Sequence, residues 1–313
     1  MARLKPEMHP LLTEEVINFL FGKNIYTVVN FLQTEIKQIC CITNLAYKEI
    51  LGIRKHLIHK NSAVVRNGLD YYKEMIRATA IIPTGIQNVD AMLEGGLLTG
   101  NIYEICGLPS NGKTQFCLTI AKNVTQKLQQ HVYYIDTKRD FSGRKILRML
   151  DAEKLPADQI GNIMSRILVK QINTKYELLN CLYSIQKEID EGLTLRLIII
   201  DSLPPLFYQT EESAKNYGVM NQFVNIMRFL AREYHLAFIV TNCITIWYEG
   251  DFSMEKAITE KLGLGRYWLS IANFRIMIKQ TQEICKYGLN IVKSNKLPKG
   301  VNCTVNINDS GMF

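Results

Sequence analysis

The chain has 313 residues, 47% of them hydrophobic and 21% charged, with a formal net charge of +8. That length predicts about two domains, and the ordinary apolar and charged fractions exclude wholesale disorder and collagen-like repeats. The longest apolar runs, at 197–200 and 236–240, fall far short of the roughly 18 residues a membrane-spanning helix needs. Residues 1–10 carry Arg3 and Lys5 with no apolar stretch behind them, so they do not read as a secretory leader. The basic balance favours an anionic partner, with nucleic acid ahead of an acidic membrane surface.

In chain order, the first sixty residues read as four short helices. Thr13 and the acids Glu14 and Glu15 start the first, which carries Val16, Ile17, Phe19 and Leu20 and stops at Gly22. Val28, Val29, Phe31 and Leu32 mark the second. Ile36, Ile39 and Cys40 mark the third, with Thr34 as its N-cap. The fourth covers 45–58 through Ile50, Leu51, Leu57 and Ile58. Such a bundle suits a DNA-binding or partner-docking module, although the fold alone specifies neither. Residues 61–80, where Arg66, Lys73 and Arg77 interleave with Leu69, Tyr71 and Tyr72, read as a linker.

From residue 81 onward the texture changes. Apolar strands at 102–106, 132–135, 167–169, 195–200 and 237–241 alternate with helices at 114–130, 144–150, 176–191 and 219–234. This predicts an α/β domain over 81–313, with a mostly parallel sheet covered by helices. Strand-like segments at 273–279, 289–292 and 301–307, separated by short polar turns, predict an antiparallel extension. Cys40 and Cys41 are adjacent and Cys106, Cys117, Cys181, Cys243, Cys285 and Cys303 are scattered. No C-x-x-C or Cys/His ligand spacing appears, which reads as free thiols rather than disulfides or zinc. His56 and His59 share a helix face without a third ligand and read as surface residues.

The chemistry is carried by Gly107-Leu108-Pro109-Ser110-Asn111-Gly112-Lys113-Thr114. It matches the phosphate-binding loop G-x-x-x-x-G-K-[ST], between a strand and an apolar-faced helix as that motif requires. Backbone N–H groups and the helix N-terminus would face phosphate oxygens. Gly107 and Gly112 would allow close approach, Lys113 would reach the β/γ-phosphates, and Thr114 would hold Mg2+. The strand 197–200 ends in Asp201, the acid expected beside the Mg2+ shell. Another strand ends in Thr241-Asn242, and Asn242 can sense the γ-phosphate.

With these motifs in place, Thr84-Gly85-Ile86-Gln87-Asn88-Val89-Asp90 and Leu93-Glu94-Gly95-Gly96-Leu97-Leu98-Thr99-Gly100 resemble the RecA-type recombinase family in its eukaryotic Rad branch. Gln115, Val240-Thr241-Asn242, the helical N-terminal module and Leu262-Gly263-Leu264-Gly265-Arg266-Tyr267-Trp268 fit as well. The last resembles the L-G-R-x-W stretch of the recombinase paralogues, and the D-type (delta) branch is the best fit. The resemblance implies a RecA-like P-loop ATPase core, ATP and Mg2+ as cofactors, and homologous-recombination repair of DNA breaks in the nucleus. It also implies sister paralogues as partners, a recombinase filament as context, and single-stranded DNA as a candidate ligand. In the family ATP lies between protomers. Pro298 matches the residue that covers a neighbour's nucleotide, and Lys145, with Arg144 as the alternative, matches the residue that packs on adenine.

The departures from the family pattern are informative. Active recombinases have a Glu after the second core strand, and this chain has Lys138. A protonated lysine cannot serve as a general base, although it can pair with a γ-phosphate. The alternative is that Asp136 or Asp140 substitutes as base. Cys243 stands where active members carry a Gln, and a thiol is a poor hydrogen-bond relay. Leu69-Asp70-Tyr71-Tyr72 replaces the Phe-x-x-Ala docking plug, so capping or heteromeric docking is expected over long homofilaments.

The counterparts of the DNA loops, 204–217 and 245–265, are not basic tracks. They hold Glu211 and Glu212 against Lys215, and Glu249, Asp251, Glu255 and Glu260 against Lys256 and Lys261. Phe207, Tyr208, Trp247 and Tyr248 could stack on bases or sit in a partner interface. Basic charge collects instead at 261–313, with eight Lys/Arg against Glu283 and Asp309. This reads equally as a solvated edge. The leading expectation is an ATP-binding recombination mediator with slow or lost hydrolysis, within a paralogue complex. The others are a fully active ATP-dependent strand-exchange enzyme and a RecA-like helicase or other P-loop NTPase.

Overall fold

The computed structural model describes every residue except 1–2, 62–64, 66, 209–212 and 250–256. The chain divides into two compact units, Met1–Lys73 and Glu74–Phe313. In the first, helices α1 (Glu14–Phe21), α2 (Val28–Gln33), α3 (Ile36–Thr43) and α4 (Tyr47–Asn61) follow the expected order. Thr13 caps α1 by accepting from the Val16 N–H at 3.3 Å, and Gly22 closes it. Thr27 and Asn30 form a reciprocal capping box at the start of α2. Thr34 ends α2 instead of starting α3: its hydroxyl donates back to the Asn30 carbonyl at 2.7 Å, and Glu35 is the N-cap of α3. Leu12, Leu20, Phe31, Ile39, Ile50, Ile53 and Leu57 form a closed core. The inward face of α4 is therefore Ile50, Ile53 and Leu57, and Ile58 is 52% exposed. Helix α5 (Gly68–Ala78) lies within the segment expected as a linker.

The second unit opens with a small hairpin, β1 (Ile81–Ile82) against β2 (Leu97–Leu98), with α6 (Gln87–Met92) between them. The Thr-Gly…Asp motif folds this entry. The Asp90 carboxylate accepts from the Thr84 N–H and hydroxyl, both at 2.7 Å, and from the Gly85 N–H at 3.0 Å. Gly85 has φ +75°, and a Cβ there would meet the Asn123 amide at 2.5 Å, so glycine is required.

The main elements follow as β3 (Ile102–Gly107), α7 (Lys113–Lys127), β4 (His131–Asp136), α8 (Gly143–Ala152), α9 (Ala157–Ser165), β5 (Ile167–Gln171), α10 (Lys175–Asp190) and β6 (Leu195–Asp201). Then come α11 (Pro205–Tyr208), α12 (Ser213–Glu233), β7 (Ala237–Glu249), β8 (Ala257–Leu262), α13 (Gly265–Leu269), β9 (Phe274–Gln280), β10 (Lys286–Lys293), β11 (Asn302–Asn308) and β12 (Gly311–Met312). The main sheet runs β12-β11-β10-β9-β3-β7-β6-β4-β5. It is parallel from β9 to β5 and antiparallel from β9 to β12. The parallel core and antiparallel extension match the sequence expectation.

Strand period explains the layering. Leu197 and Ile199 of β6 enter the core under α7 and α8, while Ile198 and Ile200 enter the opposite core under α10 and α12. Strands buried on both faces read as continuous apolar runs. Trp268, from the L-G-R-x-W stretch, is fully buried and stacks on Phe223 at 6.2 Å. The 245–265 region differs from the expected loop. Strand β7 continues to Glu249 and pairs antiparallel with β8, from Ile244↔Leu262 to Glu249↔Ala257. The charged residues of β8 hid its strand pattern.

Candidate nucleotide site

Strand β3 delivers the chain into residues 107–112, and α7 begins at Lys113. Ser110 (φ 63°) and Gly112 (φ 80°) turn the loop through the left-handed region. The glycines also serve packing. A Cβ on Gly107 would come within 2.5 Å of the Ile278 carbonyl oxygen, and one on Gly112 within 2.8 Å of the Ile307 side chain. The Asn111 amide donates to that Ile278 carbonyl at 3.1 Å, tying the loop to β9. The Lys113 ammonium is buried and donates to the Gly107 and Leu108 carbonyls at 2.8 and 2.7 Å. Thr114 and Gln115 are half-buried in the first turn of α7, while Pro109 and Ser110 are exposed.

Asp201 ends β6 with 2% exposure. Its two oxygens accept from the Tyr134 hydroxyl at 2.9 Å and the Thr241 hydroxyl at 2.7 Å. Burial, and then the neighbouring Lys138 charge, hold Lys113 below the ordinary lysine range, while Asp201 pulls it the other way. The loop lysine, the strand-end acid and Lys138 therefore share one electrostatic site at the C-terminal ends of the parallel strands, the usual ligand edge of such sheets. Loop amides, a buried ammonium, a threonine hydroxyl and a carboxylate form a donor set that fits a nucleotide triphosphate with Mg2+.

The turn after β4 is organised differently. Asp136 is 1% exposed, and its carboxylate accepts from the backbone N–H groups of Lys138 (3.1 Å), Asp140 (3.2 Å) and Phe141 (3.1 Å). This use of the carboxylate in capping the turn argues against it as the substitute base. Lys138 and Asp140 both point to solvent. Lys145 is exposed on the first turn of α8, whose N-cap is Ser142. Pro298 is exposed in the turn between β10 and β11. Because β10 runs from its Gln280 pairing at Tyr287 to its Arg275 pairing at Lys293, that turn lies at the sheet edge opposite the phosphate loop. The structure thus gathers residues 107–115, Lys138 and Asp201, and puts Pro298 away from them.

Asn242 is fully buried and makes three bonds. Its amide donates to Glu104 Oε1 at 2.6 Å and to the Gly263 carbonyl at 3.2 Å, and its oxygen accepts from the Cys243 N–H at 2.8 Å. It therefore links β3 to the end of β8 rather than standing free as a phosphate sensor. Glu104 is itself paired with Arg275 at 2.6 Å, both buried. This network was missed from sequence, yet a signal existed: each strand carries one charge inside an apolar run, and buried charges come in pairs. Of the basic C-terminal stretch, Arg275 is core, Lys279 pairs with Glu260 at 3.0 Å, and Lys286 pairs with Glu283 at 2.8 Å.

Of the aromatic candidates, Phe207 is only 8% exposed and packs against Phe223, so it is not a base platform. Tyr208 is 57% exposed, and its hydroxyl accepts from the Leu264 N–H at 3.2 Å. Glu211, Glu212, Asp251, Glu255 and Lys256 lie outside the described residues, as do the side chains of Lys215, Trp247, Tyr248 and Glu249. All eight cysteines are free thiols. Among the described residues no group of three or more His, Cys, Asp or Glu could hold a metal ion, and no helix is long and apolar enough to cross a membrane.

The Rad51 family profile matches residues 75–313, and that of the RAD51D N-terminal domain matches residues 1–59. The chain is 30% identical to "DNA repair protein RAD51 homolog 4" of Bos taurus over 322 residues, covering 99% of this chain and 97% of that protein. It is 26% identical to "DNA repair and recombination protein RadB" of Archaeoglobus fulgidus, over 74% of this chain and 97% of that protein. It is also 26% identical to "DNA repair protein RAD51 homolog 2" of Homo sapiens, over 78% of this chain and 68% of that protein. With both profiles matched and a relative 30% identical across nearly the whole length, the chain belongs to the Rad51 family, as a RAD51D-like recombinase paralogue.

Proposed function

We propose that this chain is an ATP-binding mediator of homologous-recombination repair of DNA double-strand breaks. It acts in the nucleus within a hetero-oligomer of sister recombinase paralogues, beside a recombinase filament on single-stranded DNA. The domain division follows the same reading: a helical module over 1–60, a linker over 61–80 and an ATPase core over 81–313. Residues 107–115 would hold the triphosphate, and Thr114 with Asp201 would hold Mg2+. Bound Mg2+ supplies charge neutralisation at the phosphates. Lys138 would favour retention of the γ-phosphate and leaves no base in the position where one is expected.

The observation that carries this reading is the pairing of a buried loop lysine and a buried, hydrogen-bonded strand-end Asp201 with a lysine at 138 in place of the expected acid. Names of the relatives, which include DNA repair and recombination proteins, support the process. The test is to purify the tagged full chain from cells, identify its partners and measure its nucleotide content. Sister paralogues with bound ATP are expected. Replisome or metabolic partners would contradict the reading, and so would a lone chain forming long filaments on DNA.

A further inference from the structure

A cavity of about 240 Å³ opens at the sheet edge opposite the phosphate loop. It lies where β3 and β9 begin and where the β10–β11 turn returns. Arg228 and Arg232, one turn apart on α12, line it together with Ser270, Asn273 and Asn295. Among the described residues neither guanidinium has a hydrogen bond or ion pair, and no carboxylate lines the cavity. Lys293 stands beside it and donates to the Leu269 carbonyl at 2.9 Å. Burial, with Arg275 and Arg228 as like charges, lowers the Lys293 pKa. A concave site with two guanidinium forks and neutral hydrogen-bonding side chains suits a group with several charged oxygens.

We infer that this cavity binds a terminal phosphate group. The site is a concave hollow whose rim residues Arg232, Ser270 and Asn295 are exposed, which suits a phosphate at the end of a molecule, with three free oxygens, better than the continuous diester of a DNA backbone. Two sources carry that chemistry: the end of a nucleotide, and a phosphorylated side chain. The site is separate from residues 107–115 and does not depend on the proposed ATP reading.

The test uses the full chain carrying Lys113→Ala, so that the loop contributes little. Inorganic phosphate is titrated and followed by thermal shift and 31P line broadening. Saturable binding is expected, weakened at least about tenfold by Arg228→Ala with Arg232→Ala, the scale of losing charge-assisted bonds. It should persist in the exposed control Lys299→Ala. Arg228→Lys with Arg232→Lys keeps the charge without the fork and should weaken binding less. Unchanged melting without phosphate verifies folding. Competition by ATP or by a phosphoserine peptide then identifies the source. The inference is overturned if phosphate does not bind, if the arginine variants bind it as the parent does, or if a single-stranded oligonucleotide without terminal phosphate displaces it.

Discussion

The two sides of the nucleotide site are built to different standards. On the binding side, Lys113, Asp201, Thr241 and Tyr134 are buried: Tyr134 and Thr241 both donate to Asp201, and Lys113 donates to the loop carbonyls of Gly107 and Leu108, while Glu104, Arg275 and Asn242 form a second buried network. On the side where a water would be activated, Asp136 is absorbed by three backbone amides, and Lys138 and Asp140 sit in solvent. On the proposed reading, that difference would separate holding a triphosphate from cleaving it.

The largest expected effect comes from breaking the scaffold under the binding side. Glu104→Ala leaves Arg275 buried without its partner, which should cost about 3–5 kcal/mol in denaturant unfolding. Replacing both by apolar residues should recover much of that loss. Next, Lys113→Ala should weaken ATP binding on the order of 100-fold by losing a charge-assisted phosphate contact, read by equilibrium titration with unchanged folding. On the other side, Lys138→Glu restores an acid at the expected place and removes the positive neighbour of Lys113. Turnover should rise about tenfold or more, since a positioned base contributes about 10²–10⁴. An unchanged rate would show that the missing acid is not what limits this site. Smallest is Lys279→Ala at the exposed pair with Glu260, which should shift stability by less than about 1 kcal/mol.

Legibility followed the same divide. The loop between β3 and α7 and the strand ending at Asp201 were readable because a glycine-bounded loop between strand and helix is a local pattern, and the parallel sheet because doubly buried strands are continuously apolar. The Asp136 cap was not readable: its partners are backbone amides of residues 138, 140 and 141, which leave no side-chain signature. Neither was the role of Asn242, whose partners Glu104 and Gly263 are distant in sequence. The β7–β8 ladder was hidden because the charged, exposed Glu260 and Lys261 blur the alternation that marks a strand. The basic C-terminal stretch had no single meaning in sequence. In the fold it separates into a core ion pair, surface pairs and one lysine beside an arginine-lined cavity.

The central claim, binding without efficient cleavage, is tested most directly by single-turnover hydrolysis of radiolabelled ATP, with bound nucleotide measured on the same sample. The account predicts close to one ATP bound per chain, lost in Lys113→Ala, with cleavage near the uncatalysed background and unchanged by Asp140→Asn. Robust cleavage abolished by Asp140→Asn would contradict it, because an acid on the exposed turn would then be acting as the base that Lys138 cannot be.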